Sequence, residues 1–184
     1  MNGQTELVFG SSLAAQICPE GANWKLLGFQ GRINLYRVKN ELERTNMRYK
    51  RVWIIMGNDI LSSRLHWHPY GAHKCLVPIN VSEVCMKYQV LYDILSCFTS
   101  EIRFIQPPPR CERRPVHQRS CITYNKQIHE RFRTVINSIQ RTKTCILGVL
   151  SCEVYRPRFG KLTAEDDIHL SGAAIRSINE FLSR

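Results

Sequence analysis

The stretch RVWIIMGND, residues 51–59, decides the fold. It is the most hydrophobic run of the chain and is almost continuously apolar, without the alternation that marks a strand with one face in water. A strand of this kind is buried on both faces, which is typical of a parallel sheet covered by helices. The run ends in Gly57-Asn58-Asp59, whose residue types favour a turn.

Four other short apolar runs resemble this one, and helix-sized amphipathic stretches separate them. The runs cover Glu6–Gly10, Trp24–Phe29, Glu101–Gln106 and Cys145–Val154. The stretches predict helices at Ser12–Ile17, Asn34–Arg44, Val81–Ser96, Thr123–Gln140 and Gly172–Leu182. Because parallel neighbours need a crossover connection, the pattern predicts a three-layer α/β/α sandwich around a five-stranded parallel sheet. We expect irregular loops at Ser62–Pro78 and Pro107–Arg119.

The length and composition fit a single globular domain that spans residues 1–184. The chain is 43% hydrophobic and 22% charged, and it lacks both a long apolar segment and the pattern of a secretion signal. Its eight cysteines include no Cys-x-x-Cys pair, which favours reduced thiols. We therefore expect a soluble intracellular protein of the cytoplasm or nucleus.

The net charge of +11 favours a polyanionic partner, either nucleic acid or an anionic membrane surface. Charge alone does not distinguish such a partner from a basic surface that is simply solvated. The candidate binding residues are Arg110, Arg113, Arg114, Arg119, Arg156, Arg158 and Lys161.

Residues suited to a catalytic site follow four of the five runs, at the edge where parallel α/β sheets have their sites. These residues are Ser12, Gly31, Asn58, Asp166 and His169. Each has an ordinary structural interpretation: a helix cap for Ser12, a loop glycine for Gly31, a turn for Asn58, and for the last two a charged loop before a helix capped by Ser171. Together they supply a hydroxyl, a close backbone donor, an amide, a carboxylate and an imidazole, the groups that hydrolysis of an acyl ester requires.

The order Gly10-Ser11-Ser12-Leu13, Gly31, Gly57-Asn58-Asp59 and Asp166-x-x-His169 resembles the four blocks of the SGNH (GDSL-like) hydrolase superfamily. The resemblance extends over nearly the whole chain. It implies a flavodoxin-like sheet with strand order 2-1-3-4-5 and an esterase or lipase that acts on an acetyl or lipid ester without a cofactor.

The resemblance also implies a role for each site residue. Ser12 would be the nucleophile, His169 the general base and Asp166 the residue that orients His169. The oxyanion hole would consist of the Ser12 and Gly31 N–H groups and the Asn58 amide. The chain departs from the family at Ser11, where the family usually has an aspartate that supports the turn.

Two further interpretations remain open from the sequence. The superfamily includes esterase domains of some retrotransposon proteins and the RNA-binding domain of Oskar, so a catalytically weak domain that binds RNA or another polyanion is the alternative function. His66, His68, His73 and Cys75 are residue types that zinc accepts, but their spacing matches no common zinc pattern, and we therefore predict no metal site. The oligomeric state stays open.

Overall fold

The computed structural model describes residues 6–10, 14, 24–28, 34–55, 63–68, 71–76, 78–107, 118–142, 144–150 and 170–182, with β2, β4 and β5 described by their backbone. In chain order the elements are β1 (Glu6–Gly10), β2 (Trp24–Gly28), α1 (Leu35–Thr45), β3 (Val52–Ile55), β4 (Ser63–His68), β5 (Gly71–Leu76), α2 (Val81–Leu95), β6 (Glu101–Ile105), α3 (Gln118–Ser138), β7 (Ile146–Leu150) and α4 (Gly172–Leu182).

The main sheet joins five of the strands in the order β2-β1-β3-β6-β7, and every neighbouring pair is parallel. β3, which the opening stretch predicts, lies at the centre of this order, and all four of its residues are buried. The predicted α/β class with a parallel sheet is confirmed.

Alternate residues of the strands belong to two separate hydrophobic cores. On one face, Val52 and Ile54 pack in the major core with residues of α1, α2 and α3, including Leu42, Tyr88 and Phe132. On the other face, the minor core joins the sheet to α4 and consists of Val8, Ala14, Trp53, Ile55, Ile105, Leu170, Ala174, Ile178 and Leu182. Helices therefore cover both faces of the sheet.

Side-chain caps fix where two helices of the major core begin. The Asn34 side chain accepts a hydrogen bond from the Arg37 N–H at 3.0 Å, and Asn80 accepts one from the Glu83 N–H at 3.3 Å. Each cap satisfies a backbone donor that has no partner inside the helix. α1 ends at Asn46, whose φ of 47° is a left-handed conformation that asparagine tolerates.

The structure corrects two predicted loops. The segment 62–78, predicted to be irregular, contains the antiparallel hairpin β4–β5. Helix α3 begins at Gln118, five residues before the predicted Thr123, and so takes up the end of the predicted Pro107–Arg119 loop. In both places the element lies near proline in the sequence, a residue that usually interrupts strands and helices.

Candidate functional site

The carboxyl ends of the five parallel strands form one row across the sheet. Direct register pairs connect Gly28 to Gly10, Gly10 to Ile55, Ile55 to Ile105 and Ile105 to Leu150. Because the strands run in the same direction, the connections that follow them all leave from this edge. The predicted site residues come after these strand ends in the sequence.

Gly10 ends β1 in a conformation that requires glycine. Its φ is 155°, and a Cβ atom built on it would lie 2.4 Å from the carbonyl oxygen of Ile55. Any side chain would therefore push β1 away from β3 at the centre of the sheet. The absence of a Cβ atom permits this close approach directly before Ser11 and Ser12.

The five predicted site residues, Ser12, Gly31, Asn58, Asp166 and His169, lie outside the described residues. The same holds for Ser11 and for the proposed polyanion-binding residues, except that the backbone of Arg119 belongs to α3. Their roles stay predictions.

Three described residues lie close in sequence to these positions and belong to the minor core. Ala14, two residues after Ser12, is 1% exposed, and Leu170, directly after His169, is 3% exposed. Ile55, three residues before Asn58, is fully buried in the same core. Described residues within three positions of the predicted nucleophile, base and amide donor thus belong to one cluster on one face of the sheet.

Helix α4 begins immediately after this anchored segment. The Ser171 hydroxyl accepts a hydrogen bond from the Ala174 N–H at 3.2 Å, and the Ser171 carbonyl accepts one from the Ile175 N–H at 2.9 Å. Ser171 is therefore the N-cap of α4, as predicted. Its capping fixes the start of the helix two residues after His169.

A polar pair that the sequence analysis missed lies at the same edge. Gln106, one residue after β6, is 3% exposed, and its side-chain oxygen lies 3.1 Å from Nδ1 of His129 on α3. This contact links α3 to the end of the strand. The signal in the sequence was a glutamine between a buried strand and three prolines, where a polar side chain needs a buried partner.

A charged network occupies the opposite, amino-terminal end of the sheet. Arg51 lies 2.9 Å from Glu101 and 3.5 Å from Glu6, while Arg103 contacts Glu101 at 2.5 Å. Trp53 donates a hydrogen bond to Glu6 at 2.6 Å, and both guanidinium groups lie about 5 Å from its ring centroid. Arg103 is therefore paired with a carboxylate.

This network changes the ionisation of Glu101. Burial alone would raise the pKa of its carboxyl group, but the hydrogen bonds and charges of Arg51 and Arg103 outweigh burial and lower the pKa below its usual 4.5. The carboxylate stays ionised at neutral pH. The network ties β6 to the residue that precedes β3.

Three described cysteines, Cys85, Cys97 and Cys145, are thiols and not halves of disulfides, in line with the expectation from sequence. None of the helices that the structure describes has the length and apolar character that crossing a membrane requires.

The layered fold and the row of strand ends define a class of α/β protein whose site lies at the carboxyl edge of a parallel sheet. Among solved structures, the chain shares this fold with SGNH hydrolases and esterases. A protein from Slackia heliotrinireducens, described as a candidate SGNH hydrolase, aligns with a TM-score of 0.65 at 14% identity over 99% of this chain and 98% of that chain.

Two further structures align over similar lengths. A lipase/acylhydrolase from Enterococcus faecalis gives a TM-score of 0.60 at 13% identity over 98% of this chain and 94% of that chain. An aryl esterase from M. smegmatis gives a TM-score of 0.58 at 14% identity over 98% of this chain and 96% of that chain. No family model and no curated protein matches the sequence. The structural likeness establishes the fold.

Proposed function

We propose that the chain is a carboxylic ester hydrolase whose nucleophile is Ser12. The observation that supports this most is the minor core, which gathers Ala14, Ile55 and Leu170. An extended chain spans at most about 7 Å over two residues, so Ser12 stays near Ala14, and His169 adjoins Leu170. A hydroxyl and an imidazole tethered to one cluster are well situated for proton transfer.

The proposed reaction proceeds through an acyl-enzyme. Ser12 Oγ attacks the carbonyl carbon of the ester while His169 takes the hydroxyl proton, and the charge that develops on the carbonyl oxygen is stabilised by the Ser12 and Gly31 N–H groups and the Asn58 amide. His169 then gives its proton to the departing alcohol oxygen. Water, activated by His169, attacks the acyl-enzyme and regenerates Ser12. Asp166 holds His169 in the required orientation.

Two aspects of the architecture belong to the same proposal. We assign the sheet to the flavodoxin-like type because of its order β2-β1-β3-β6-β7, and we take residues 1–184 as one catalytic domain. The solved structures of similar fold are named as an aryl esterase and a lipase/acylhydrolase, which favours a small acyl ester as the substrate class.

Hydrolysis of p-nitrophenyl acetate tests the proposal. We expect turnover that increases with pH as His169 loses its proton, because a general base must be neutral. Ser12→Ala and His169→Ala should each lower kcat by at least about 1,000-fold, the scale on which loss of a triad member acts.

Neighbouring residues provide matched controls. Ser11→Ala tests whether a hydroxyl is needed one position earlier, and Asp167→Ala is the counterpart of Asp166→Ala. We expect the Ser11 and Asp167 variants to stay within about tenfold of the parent and the Asp166 variant to lose most of its activity. No turnover above the blank between about pH 6 and about pH 9, or full activity in Ser12→Ala, would refute the proposal.

A further inference from the structure

Helix α3 is longer than the part of the sheet that it covers. It spans 21 residues and is therefore about 31 Å long, whereas β6, the strand before it, spans 5 residues and about 17 Å. The contact between His129 and Gln106 fixes where the two elements meet, because Gln106 is one residue beyond the carboxyl end of β6. Residues 118–128 of α3 precede this contact and make up about 16 Å of helix.

The start of α2 lies at the same level of α3. Val81, the first residue of α2, lines one groove together with Glu130 and Thr134 of α3. After this level α3 continues to the chain that enters β7 at the amino edge, so the helix runs opposite to the strands. Residues 118–128 therefore project beyond the carboxyl edge of the sheet, past both the end of β6 and the start of α2.

Ile122 lies on this projecting part and on the same side of α3 as His129. Seven residues are within about 20° of two full turns, so the two positions lie one above the other, about 10 Å apart along the axis. Because His129 contacts Gln106 at the strand end, Ile122 faces the space above the strand ends. Its side chain is 70% exposed, whereas the other apolar side chains that the structure describes in α3 are buried.

We propose that residues 118–128 of α3, the acyl wall, form one side of the substrate cleft and that Ile122 contacts the acyl chain of the ester. This inference rests on the proposed hydrolase function. α3 packs in the major core, whereas Ala14 and Leu170, close in sequence to the predicted nucleophile and base, belong to the minor core on the other face. The acyl wall thus stands across the row of strand ends from that cluster.

The proposed reaction determines which part of the ester points toward α3. His169 gives its proton to the departing alcohol oxygen, so the alcohol lies on the side of Leu170 and α4. The acyl chain is bonded to the other side of the carbonyl carbon and points toward the acyl wall. Burial of its methylene groups against Ile122 favours a chain longer than acetyl, by up to about fourfold for each methylene. The substrate class is therefore an ester of a medium-length fatty acid.

A series of p-nitrophenyl esters, from acetate through butyrate and hexanoate to octanoate, tests the proposal on the full chain. We expect kcat/KM to increase with chain length as far as the hexanoate. Ile122→Ser should lower kcat/KM for the hexanoate at least about tenfold and leave that for the acetate within about twofold, since an acetyl group does not reach the wall. Ile122→Trp, which fills the space above the strand ends, should shift the preference to shorter chains.

Ile146→Ser is the matched control. Ile146 is 64% exposed, much as Ile122 is, but it begins β7 at the amino end of the sheet. We expect this variant to keep the chain-length preference of the parent. Both serine variants should unfold near the thermal midpoint of the parent, because each removes a largely exposed side chain.

Binding without turnover separates this inference from the proposed function. Isothermal titration calorimetry of p-nitrophenyl hexanoate with Ser12→Ala measures affinity alone, and adding Ile122→Ser should weaken that affinity about tenfold. A chain that binds the hexanoate through Ile122 but does not hydrolyse it would refute the hydrolase and support the acyl wall. Equal effects of Ile122→Ser on acetate and hexanoate, an equal loss in Ile146→Ser, or hexanoate binding that is unchanged by Ile122→Ser would overturn the acyl wall.

Discussion

Replacing Gly10 with alanine tests whether β1 must approach β3 as closely as the structure has it. The added Cβ atom would lie 2.4 Å from the Ile55 carbonyl oxygen, whereas real Cβ atoms stay beyond 3.0 Å, so the strands must separate by at least 0.6 Å (3.0 − 2.4). Overpacking of this kind costs about 1 to 3 kcal/mol, and a non-glycine residue with this φ adds about 1 to 3 kcal/mol. We expect Gly10→Ala to lower the free energy of unfolding by about 2 to 6 kcal/mol.

Urea-induced unfolding, followed by far-UV circular dichroism and tryptophan fluorescence, measures this loss. Gly172→Ala is the matched control, because a Cβ atom there would meet only the Arg176 side chain, at an ordinary 3.7 Å. In helix α4 this change should leave stability unchanged or increase it by up to about 1 kcal/mol. If Gly10→Ala unfolds within about 1 kcal/mol of the parent, β1 does not pass this close to β3 and the reasoning about the strand end is wrong.

Two further predictions concern stability. The lowered pKa of Glu101 means that its ion pairs stabilise the fold above about pH 4.5 and that this contribution is lost as the pH falls through the lower, folded-state pKa. Unfolding curves at neutral and acidic pH should therefore differ less for Glu101→Gln than for the parent, and an equal difference would contradict the assignment. Ser171→Ala removes the N-cap of α4 and should cost about 1 kcal/mol, whereas Ser171→Asp should retain most of the stability; equal losses in the two would show that the cap is unimportant.

The parallel sheet could be predicted because its strands are apolar at nearly every position, as strands buried on both faces are. β3 shows this most clearly, since Trp53 and Ile54 belong to different cores and both are at most 1% exposed. A strand that is apolar at every position cannot have a face in water. Helices α1 and α2 were equally readable, because their amphipathic stretches predicted Asn34–Arg44 and Val81–Ser96 and the helices span Leu35–Thr45 and Val81–Leu95.

The parts that escaped prediction depend on contacts between segments distant in sequence. The hairpin β4–β5 alternates histidine with apolar residues, and only the pairing of His66 with His73 shows that the two halves form one unit. Likewise, the contact between Gln106 and His129 joins residues 23 positions apart. For the candidate site, the order of residue types was readable, but the packing of Ala14, Ile55 and Leu170 into one core was not.

The division of the sheet into two cores has a consequence for how this protein can change. Neighbouring positions of one strand, such as Ile54 and Ile55, belong to different layers, so a single step along the chain moves a substitution from one layer to the other. The layer that contains Ala14 and Leu170, which are close in sequence to the predicted nucleophile and base, is not the one that packs α1, α2 and α3. Substitutions in the two layers that share no contacts should therefore change stability additively, so each layer can be altered with little effect on the other.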